Sequence, residues 1–434
     1  MTGADPIWWD QPVTPDADTG PPTAEGTGAE PLDPARLRAD TVGASVVIHM
    51  NNAGAALPPR VVTDVVVAHL RREEQIGGYE AHREAQQRVD AIYSSIATML
   101  NTTADHIALS DTATSAWDRA LLSIPWQHGD RVLIAVSEYA SNVLPLLQMS
   151  QQHGIRVDVI PDGADGALDV EALKELLDDD VRCVAITHLP SQNGLINDAY
   201  AIGAILDDFA GRSGARPWYV LDGCQAVGQL PLDVVAIGCD FLSATGRKFL
   251  RGPRGTGFLY ASDRTSELEP FPLDLHSATW TDVDSYTIAP GAQRFEQWEK
   301  SYAAALGLGA AVDYALDLGL DAIRTRLADL AEGLRTRLED IPGVQVHDRG
   351  TAHGSPGRSA IVTFTSERAP AADIVERLRA GAADGRPVNA SLSTPDYALR
   401  DFREHNLGPV VRLSPHVYNT EDELELVTAV IANI

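Results

Sequence analysis

The chain has 434 residues and a formal net charge of −27 at pH 7, with 44% hydrophobic and 22% charged residues. That length leaves room for a large domain and a smaller one, and the composition is ordinary for a globular protein. The acidic charge argues against nucleic acid or an anionic membrane as a partner, because both require a basic face.

The N-terminal stretch differs in composition from the rest of the chain. Residues 1–44 hold seven prolines, five glycines and eight acidic residues against two arginines. Such a segment predicts an extended or disordered arm, which we place at residues 1–47. From "VVIHMNNAG" (46–54) onward the pattern is that of a folded domain.

Helical periodicity is clear at 59–75 and 80–100, and short apolar runs then alternate with helical segments such as 169–179 and 198–214. This alternation predicts a mostly parallel sheet that helices cover on both faces. The strand candidates are "HIALS" (106–110), "RVLIAV" (131–136), "RVDVIP" (156–161), "CVAITHL" (183–189), "WYVLDG" (218–223), "CDFLSAT" (239–245) and "GTGFLYA" (255–261).

A long helical segment at roughly 299–339 precedes a C-terminal part of different character. That part alternates strands and helices in an order typical of a smaller α+β domain. We therefore predict a large domain at 48–300 and a small domain at 301–434. The C-terminal strand candidates are 343–348, 359–365 and 410–414, and the helix candidates are 371–382 and 420–434.

The three cysteines, Cys183, Cys224 and Cys239, make an odd count without metal-type spacing. This pattern is unlike a disulfide framework and is typical of a reducing compartment, so we expect a cytoplasmic protein without a metal site. No apolar run reaches the roughly 18 residues of a membrane-spanning helix, and the N-terminus lacks the pattern of a secretory signal.

Four strand candidates are followed by unusual loops. "HIALS" leads into "DTATSAWD" (111–118), a loop that turns into a helix and suits a phosphate held by backbone N–H groups. Each of the four alone is equally well explained as a loop with turn residues. In an open α/β sheet, however, the carboxyl ends of strands converge on one ligand site. The other three loops are "SEYASN" (137–142), "DGCQAVG" (222–228) and "TGRKFLRGPRGTG" (245–257).

Two of these loops carry the chemistry. Asp222 ends an apolar strand, where it serves either as a helix cap or as the partner of a cationic heterocycle, because a buried carboxylate without a partner is costly. Lys248 lies between Arg247 and Arg251, a setting that lowers the pKa of an amine unless the loop is simply solvated. An anion site, a strand-end aspartate and an activated lysine together predict pyridoxal 5′-phosphate (PLP).

Residues 222–260 resemble the signature of class V aminotransferase-type PLP enzymes, and the resemblance extends from about residue 48 to the C-terminus. It implies the α/β fold-type I PLP-dependent transferase fold, in which Lys248 forms the Schiff base and Asp222 pairs with the ring nitrogen. By the same resemblance, Gln225 donates a hydrogen bond to the ring 3′-oxygen, and Tyr139 stacks on the ring or transfers a proton. Arg412 binds the substrate carboxylate, and Asn52 of "NNAG" contacts the substrate. The residues expected to bind the cofactor phosphate are Ala113, Thr114, Thr245 and Arg247.

Departures from one branch of that family narrow the function. Cysteine desulfurases carry a catalytic cysteine on a loop shortly before the C-terminal arginine, and residues 385–411 contain none here, which argues against persulfide chemistry. Desulfurases have a histidine directly before the Schiff-base lysine, and this chain has Arg247 at that position. They also have a pair of histidines, the second of which stacks on the cofactor, and this chain has "EYASN" there. The desulfurase "RFExGTP" is "RFEQWEK" here, so a phosphate contact from the partner subunit's threonine is not carried over.

Six segments together resemble a branch with isopenicillin N epimerase-like proteins, hercynylcysteine sulfoxide lyases and relatives from lincosamide biosynthesis. They are "NNAG", "GGYEA", "EYASN", "RKFLRGPRG", "RFEQWE" and "RLSPHVYNT". The resemblance implies a homodimeric carbon–sulfur lyase that eliminates a thiol from an S-substituted cysteine, leaving pyruvate and ammonia. Decarboxylation with oxidative deamination of the same substrate, and racemisation at Cα, are alternatives. A PLP-fold binding protein without turnover is another, but intact Lys248, Asp222 and Arg412 argue against it.

Overall fold

The computed structural model describes residues 32–347 and 357–434. The helices are α1 (Pro34–Ala39), α2 (Arg60–Ile76), α3 (Gly78–Leu100), α4 (Ala113–Ser123), α5 (Ala140–His153), α6 (Val170–Leu176), α7 (Ala199–Ser213), α8 (Val234–Ile237), α9 (Tyr302–Leu318), α10 (Leu320–Glu339), α11 (Ala371–Ala380), α12 (Leu399–Glu404) and α13 (Glu421–Ala432). The strands are β1 (Ile48–His49), β2 (Ile107–Ser110), β3 (Arg131–Ala135), β4 (Arg156–Ile160), β5 (Val181–Thr187), β6 (Trp218–Asp222), β7 (Phe241–Thr245), β8 (Gly257–Ala261), β9 (Ala278–Asp282), β10 (Ser285–Ile288), β11 (Val344–Val346), β12 (Val362–Ser366), β13 (Val388–Asn389), β14 (Ser391–Ser393) and β15 (Val410–Leu413).

The largest sheet has seven strands in the order β2-β8-β7-β6-β5-β3-β4. Strands β7, β6, β5, β3 and β4 run parallel to one another, and β8 is antiparallel to both β2 and β7. All seven were predicted from their apolar runs. Strands β6 and β7 are buried throughout, because helices cover both faces of a parallel sheet. The predicted α/β fold with a mostly parallel sheet is confirmed.

The helical segment predicted at roughly 299–339 is two helices rather than one. Gly319 separates α9 from α10 with φ +80°, a backbone conformation that favours glycine, and the two helices meet at 81°. Helix α9 packs against α2 and α3, which lie in the predicted large domain, and the predicted domain boundary at residue 300 stays a prediction. Within the described residues, no single helix is long and apolar enough to cross a membrane, and only the bent pair α9–α10 passes by length and composition.

A second, antiparallel sheet of four strands follows in the order β11-β12-β15-β14. Three of its strands were predicted, and the short β14 was not. Strand β1 pairs in parallel with β13, and Asn51 bridges to Ser414 just beyond β15. The segment "NNAG" therefore lies beside "RLSPH", although more than 350 residues separate them in the chain.

The N-terminal arm is only partly as predicted. Residues 1–31 lie outside the described residues, but residues 34–45 form α1 and a short 3-10 helix instead of an extended segment. Asp33 caps α1 by accepting the Ala35 N–H, and Arg38 reaches the buried carboxylate of Glu423 at 2.8 Å. Leu37 is buried in the main core. Arg38 and Leu37 thus anchor residues 34–45, which corrects the extended or disordered conformation expected for these residues, while the arm at residues 1–47 as a whole stays a prediction.

Candidate active site

A cavity of about 330 Å³ opens at the carboxyl ends of the parallel strands β5, β6 and β7, where ligands gather in open α/β sheets. Its wall includes every predicted site residue except Asn52. Those residues are Ala113, Thr114, Tyr139, Asp222, Gln225, Thr245, Arg247, Lys248 and Arg412.

Asp222 ends β6 and is nearly fully buried. One carboxylate oxygen accepts a hydrogen bond from Asn142 Nδ2 at 2.9 Å, and the other accepts from the Cys224 N–H at 2.8 Å. None of the basic side chains in the described ranges pairs with it. A buried carboxylate that is held by neutral donors and faces a cavity is suited to a cationic ring nitrogen.

Lys248 lies in the loop after β7. Burial lowers the pKa of its amine, and the neighbouring Arg247 and Arg412 act in the same direction, against the opposing effect of Cys224 and Asp222. Across residues 32–347 and 357–434, no side chain or backbone group forms a hydrogen bond or ion pair with the amine. An amine of lowered pKa that is free of internal partners is suited to act as nucleophile and base.

Helix α4 begins at the cavity wall. Thr112 caps it by accepting a hydrogen bond from the Ser115 N–H at 3.0 Å. The N–H groups of Ala113 and Thr114 lie in the first turn of the helix, where backbone donors lack intrahelical partners. A Cβ atom at Gly257 would lie 2.9 Å from the Ala113 nitrogen, so only glycine lets β8 pass this helix start. Helix N-termini of this kind bind phosphate, and Thr245 and Arg247 line the same cavity.

Arg412, on β15, enters the cavity from the second sheet. Its Nη1 donates to the Ser191 carbonyl at 2.8 Å and its Nη2 to Asn51 Oδ1 at 3.2 Å. Burial lowers its pKa to about 10, which still leaves the guanidinium charged at neutral pH. Its Nε is buried without a hydrogen-bond partner among the described residues, and a planar edge with a free donor is suited to a carboxylate.

Tyr139 precedes α5, and its ring lies parallel to that of Tyr397 with 6.1 Å between the ring centroids. Burial raises the pKa of the Tyr139 phenol, with a further rise from Tyr397, while Arg247 and Arg412 oppose the shift. The phenol therefore stays protonated at neutral pH and is able to donate. Tyr397 also lines the cavity, and no signal in the sequence indicated that it does.

Asn52 is not where it was predicted to be. Its Nδ2 donates to the Ser414 carbonyl at 2.7 Å and to the His49 carbonyl at 3.2 Å, and its Oδ1 accepts from the Tyr418 hydroxyl at 2.6 Å. The amide is fully buried and joins β1 to the C-terminal segment instead of lining the cavity. The preceding Asn51 is the residue that reaches Arg412.

Several cavity residues were not predicted from the sequence. Asn142 lies in "SEYASN", where no pattern indicates its role. Thr187 ends β5 directly beside Asp222, and the convergence of strand ends on one site is sufficient to find it. Cys224 lines the cavity, although only its place in the cysteine count was noted. Ser391 and Ser393 reach the wall from β14, a strand too short to show a pattern.

A possible metal-binding cluster lies outside this cavity. Asp162, Asp401 and His405 have ligand atoms within 4.8 Å of one another. His405 Nδ1 lies 3.0 Å from Asp401 Oδ1, and its Nε2 lies 3.3 Å from Asp162 Oδ2, so both ring nitrogens are paired with carboxylates. Such pairing accounts for the cluster, and the expectation of no metal site stays a prediction.

The sequence profile of the family described as "Aminotransferase class-V" matches residues 47–427. The chain belongs to the class-V aminotransferase family. A probable cysteine desulfurase from Methanothermobacter thermautotrophicus is 28% identical over 360 residues, covering 82% of this chain and 86% of that protein. A probable cysteine desulfurase from Xylella fastidiosa is 29% identical over 423 residues, covering 93% and 97%.

Solved structures give the same fold. A cysteine desulfurase from Thermococcus onnurineus superposes with a TM-score of 0.83 at 21% identity, covering 93% of this chain and 98% of that one. The cystine C–S lyase C-DES, in a complex with its reaction product cysteine persulfide, gives a TM-score of 0.78 at 22% identity, covering 91% and 99%. The predicted fold-type I architecture is confirmed. PLP is the cofactor of the class-V aminotransferase family, so the predicted cofactor and the prediction of an enzyme are confirmed as well.

The cavity of this class-V family member fits PLP. A buried carboxylate held by neutral donors, an amine of lowered pKa, a helix start and two arginines converge on it. Gln225 Nε2 donates to the Ala53 carbonyl at 3.1 Å, while its Oε1 is buried without a partner in the described part of the chain. Asp222 would hold the ring nitrogen, Lys248 the aldehyde carbon, and Ala113, Thr114, Thr245 and Arg247 the phosphate.

Proposed function

We propose that the protein is a PLP-dependent carbon–sulfur β-lyase that converts an S-substituted cysteine and one water molecule into a free thiol, pyruvate and ammonia. One observation carries the proposal: the cavity brings together the amine of Lys248, the guanidinium of Arg412 and the phenol of Tyr139, and the C-terminal segment that leads to Arg412 contains no cysteine. These groups suffice for elimination, and they do not include the thiol nucleophile that a protein-bound persulfide requires.

The relatives support carbon–sulfur cleavage in general. Proteins named cysteine desulfurase and cystine C–S lyase both break a carbon–sulfur bond of a cysteine-type amino acid. The finer assignment, to the branch with isopenicillin N epimerase-like proteins and hercynylcysteine sulfoxide lyases, rests on the sequence segments quoted above. A role in sulfur or antibiotic secondary metabolism belongs to the same proposal.

The cavity contains a thiol, but in a different place. Ser391, Leu392 and Ser393 present hydroxyl and apolar groups where the segment before Arg412 meets the cavity. Cys224 lies on the loop after β6, and burial raises the pKa of its thiol well above the usual value. A protonated thiol is a poor nucleophile. This arrangement favours elimination over transfer of sulfur to the protein.

When bound, PLP supplies the electron sink that makes the substrate Cα–H acidic. Arg412 orients the amino acid by binding its carboxylate, and Lys248 takes the proton from Cα. Asp222 would hold the proton on the ring nitrogen of the bound cofactor. Tyr139 donates its phenolic proton to the departing sulfur, a role that its raised pKa supports because an acid must be protonated before the step.

The reaction is tested by incubating the PLP-loaded protein with a set of S-substituted cysteines and with free cysteine. We expect pyruvate and ammonia in equal amounts from the conjugates, without oxygen consumption. Sulfide or persulfide from free cysteine as the main activity would instead indicate a desulfurase. Inverted substrate without pyruvate would indicate racemisation.

Replacing Arg412 with lysine tests the carboxylate site. Lysine keeps the charge but loses the planar fork, so the substrate Kd should rise by about ten- to a hundredfold, in keeping with about 1.5–3 kcal/mol for a charge-assisted contact. PLP absorbance should be unchanged. Arg403→Lys, at a position outside the cavity wall, is the matched control. An unchanged Kd in Arg412→Lys would assign the carboxylate to another residue.

We also propose a homodimer. The hairpin β9–β10 exposes large apolar side chains, with Trp280 75% and Val283 86% accessible, and Trp298 is half exposed nearby in the chain. Exposed apolar clusters of this kind mark interaction surfaces. We expect light scattering at micromolar concentration to give twice the mass of 46.5 kDa. Trp280→Ser with Val283→Ser should weaken the dimer, and a fully active monomer in the unaltered protein would refute it.

A further inference from the structure

Behind Asp222 lies a buried chain of hydrogen bonds that the proposed reaction does not use. Asn142 Nδ2 donates to Asp222 at 2.9 Å and also lies 3.1 Å from Thr187 Oγ1. Thr187 Oγ1 in turn donates to Glu138 Oε2 at 2.6 Å, and the Thr187 N–H donates to Glu138 Oε1 at 2.7 Å. These residues follow or end the neighbouring strands β3, β5 and β6, so the sheet itself brings them together.

The chemistry of the groups fixes the direction of the chain. The amide nitrogen of Asn142 only donates, so Thr187 Oγ1 must accept from it. The single hydroxyl proton of Thr187 is then left for Glu138, whose two carboxylate oxygens both accept. Glu138 is therefore the acceptor at the end of a chain whose other end holds the Asp222 carboxylate.

Burial makes this arrangement costly, and a costly arrangement indicates a use. Glu138, Thr187 and Asn142 are each at most 5% exposed. Burial raises the pKa of Glu138 to about 7, and the charge of Asp222 adds to the rise, while the Thr187 and Asn142 donors oppose it. An apolar residue at position 138 would avoid that cost if the carboxylate served packing alone.

We propose that Glu138 is a positioning residue of the cofactor site, which orients the Asp222 carboxylate through Thr187 and Asn142 and places a second acidic group behind it. Asn142 Nδ2 thereby donates to Asp222 and to Thr187, and it also lies 3.5 Å from Glu138 Oε2. The proposal rests on the cofactor of the family and not on the carbon–sulfur lyase reaction, so the two fail separately.

Two substitutions break the chain at different points. Glu138→Gln cannot accept from both donors of Thr187, because its NH2 group must face one of them. Thr187→Val keeps the shape and the backbone N–H but removes the hydroxyl, and Thr187→Ser keeps the hydroxyl as the matched control. We expect the Kd for PLP to rise about tenfold in the first two variants and to stay within about twofold in the control.

A pH titration of the visible absorbance of the PLP-loaded protein separates positioning from mere packing. A negative charge near the cofactor ring favours the protonated form of the ring. Glu138→Gln removes such a charge, so the midpoint of the absorbance titration of the bound cofactor should move to lower pH. Thr187→Val should shift it the same way, since Glu138 loses a donor that favours its ionised form. The other titratable and charged side chains near Glu138 are the same residues in every variant, so they do not account for a difference between variants. Asp222 and Tyr219 face Glu138 from β6. Four further charged residues line a groove together with Glu138, namely Asp396 before α12 and Arg400, Arg403 and Glu404 on α12.

The double variant Glu138→Gln/Thr187→Val completes the cycle. If both residues act through one chain, the double variant should match the single variants instead of adding their effects. Additive shifts, or a midpoint and a Kd for PLP equal to those of the unaltered protein in Glu138→Gln, would overturn the proposal. If Glu138→Gln fails to fold, the comparison of Thr187→Val with Thr187→Ser decides alone, and equal behaviour of those two would overturn it.

Discussion

Replacing Lys248 with alanine is expected to lower kcat by about 10²–10⁴-fold, the range that a positioned proton-transfer group contributes. The amine has a lowered pKa and, among the residues that the structure describes, no hydrogen-bond or ion-pair partner, whereas a guanidinium stays charged, so neither neighbouring arginine can take its place. Steady-state rates with an S-substituted cysteine measure the effect. The absorbance band of the lysine-linked cofactor should be lost as well.

Lys174→Ala is the matched control, because Lys174 lies on α6, outside the cavity wall, and its exposed amine pairs with Glu171. It should leave both the rate and the band unchanged. Borohydride reduction of the unaltered protein should attach the cofactor to Lys248. Attachment to another lysine, or full activity in Lys248→Ala, would end the assignment of Lys248 as the reactive residue.

Replacing Asp222 with asparagine should have the second large effect. The substitution keeps the shape and the hydrogen bond to the Cys224 N–H but removes the charge that pairs with the ring nitrogen. Breaking a buried ion pair from one side costs about 3–5 kcal/mol, which corresponds to a loss of roughly a hundred- to several-thousandfold. We expect that loss to be divided between PLP affinity and kcat.

Absorbance titration of the apoprotein with PLP and steady-state kinetics measure the two parts of that loss. Asp208→Asn, at an exposed position on α7 that pairs with Arg212, serves as the control. If the Asp222→Asn variant binds PLP and turns over normally, the ring nitrogen needs no carboxylate here.

The central sheet was predictable because its strands are short apolar runs between helical segments, and the pattern of a buried strand is visible locally. Most of the cavity followed from the same pattern, since residues at the ends of parallel strands must meet. Lys248, Asp222 and Arg247 are examples. Gln225 and Arg412 were predicted as site residues only from the resemblance to a family. Arg412 lies on the second sheet, and no local pattern in the sequence indicates that this strand reaches the cavity.

What the sequence could not give depends on contacts between distant segments. Asn51 and Asn52 are adjacent, and which of them points to the cavity is set by the pairing of β1 with β13 and by the Tyr418 hydroxyl. The fold of α1 likewise depends on Glu423 at the far end of the chain. The chain from Glu138 to Asp222 needs three strands in register before it exists.

Mass spectrometry of the sulfur-containing product tests the central claim most directly. The PLP-loaded protein is incubated with one S-substituted cysteine, and the fate of the substituent is followed together with oxygen uptake. Elimination predicts the free thiol, matched by pyruvate, with no oxygen consumed. A product in which the sulfur keeps a two-carbon fragment of the cysteine, with release of CO2 and consumption of oxygen, would contradict the lyase and indicate decarboxylation with oxidative deamination.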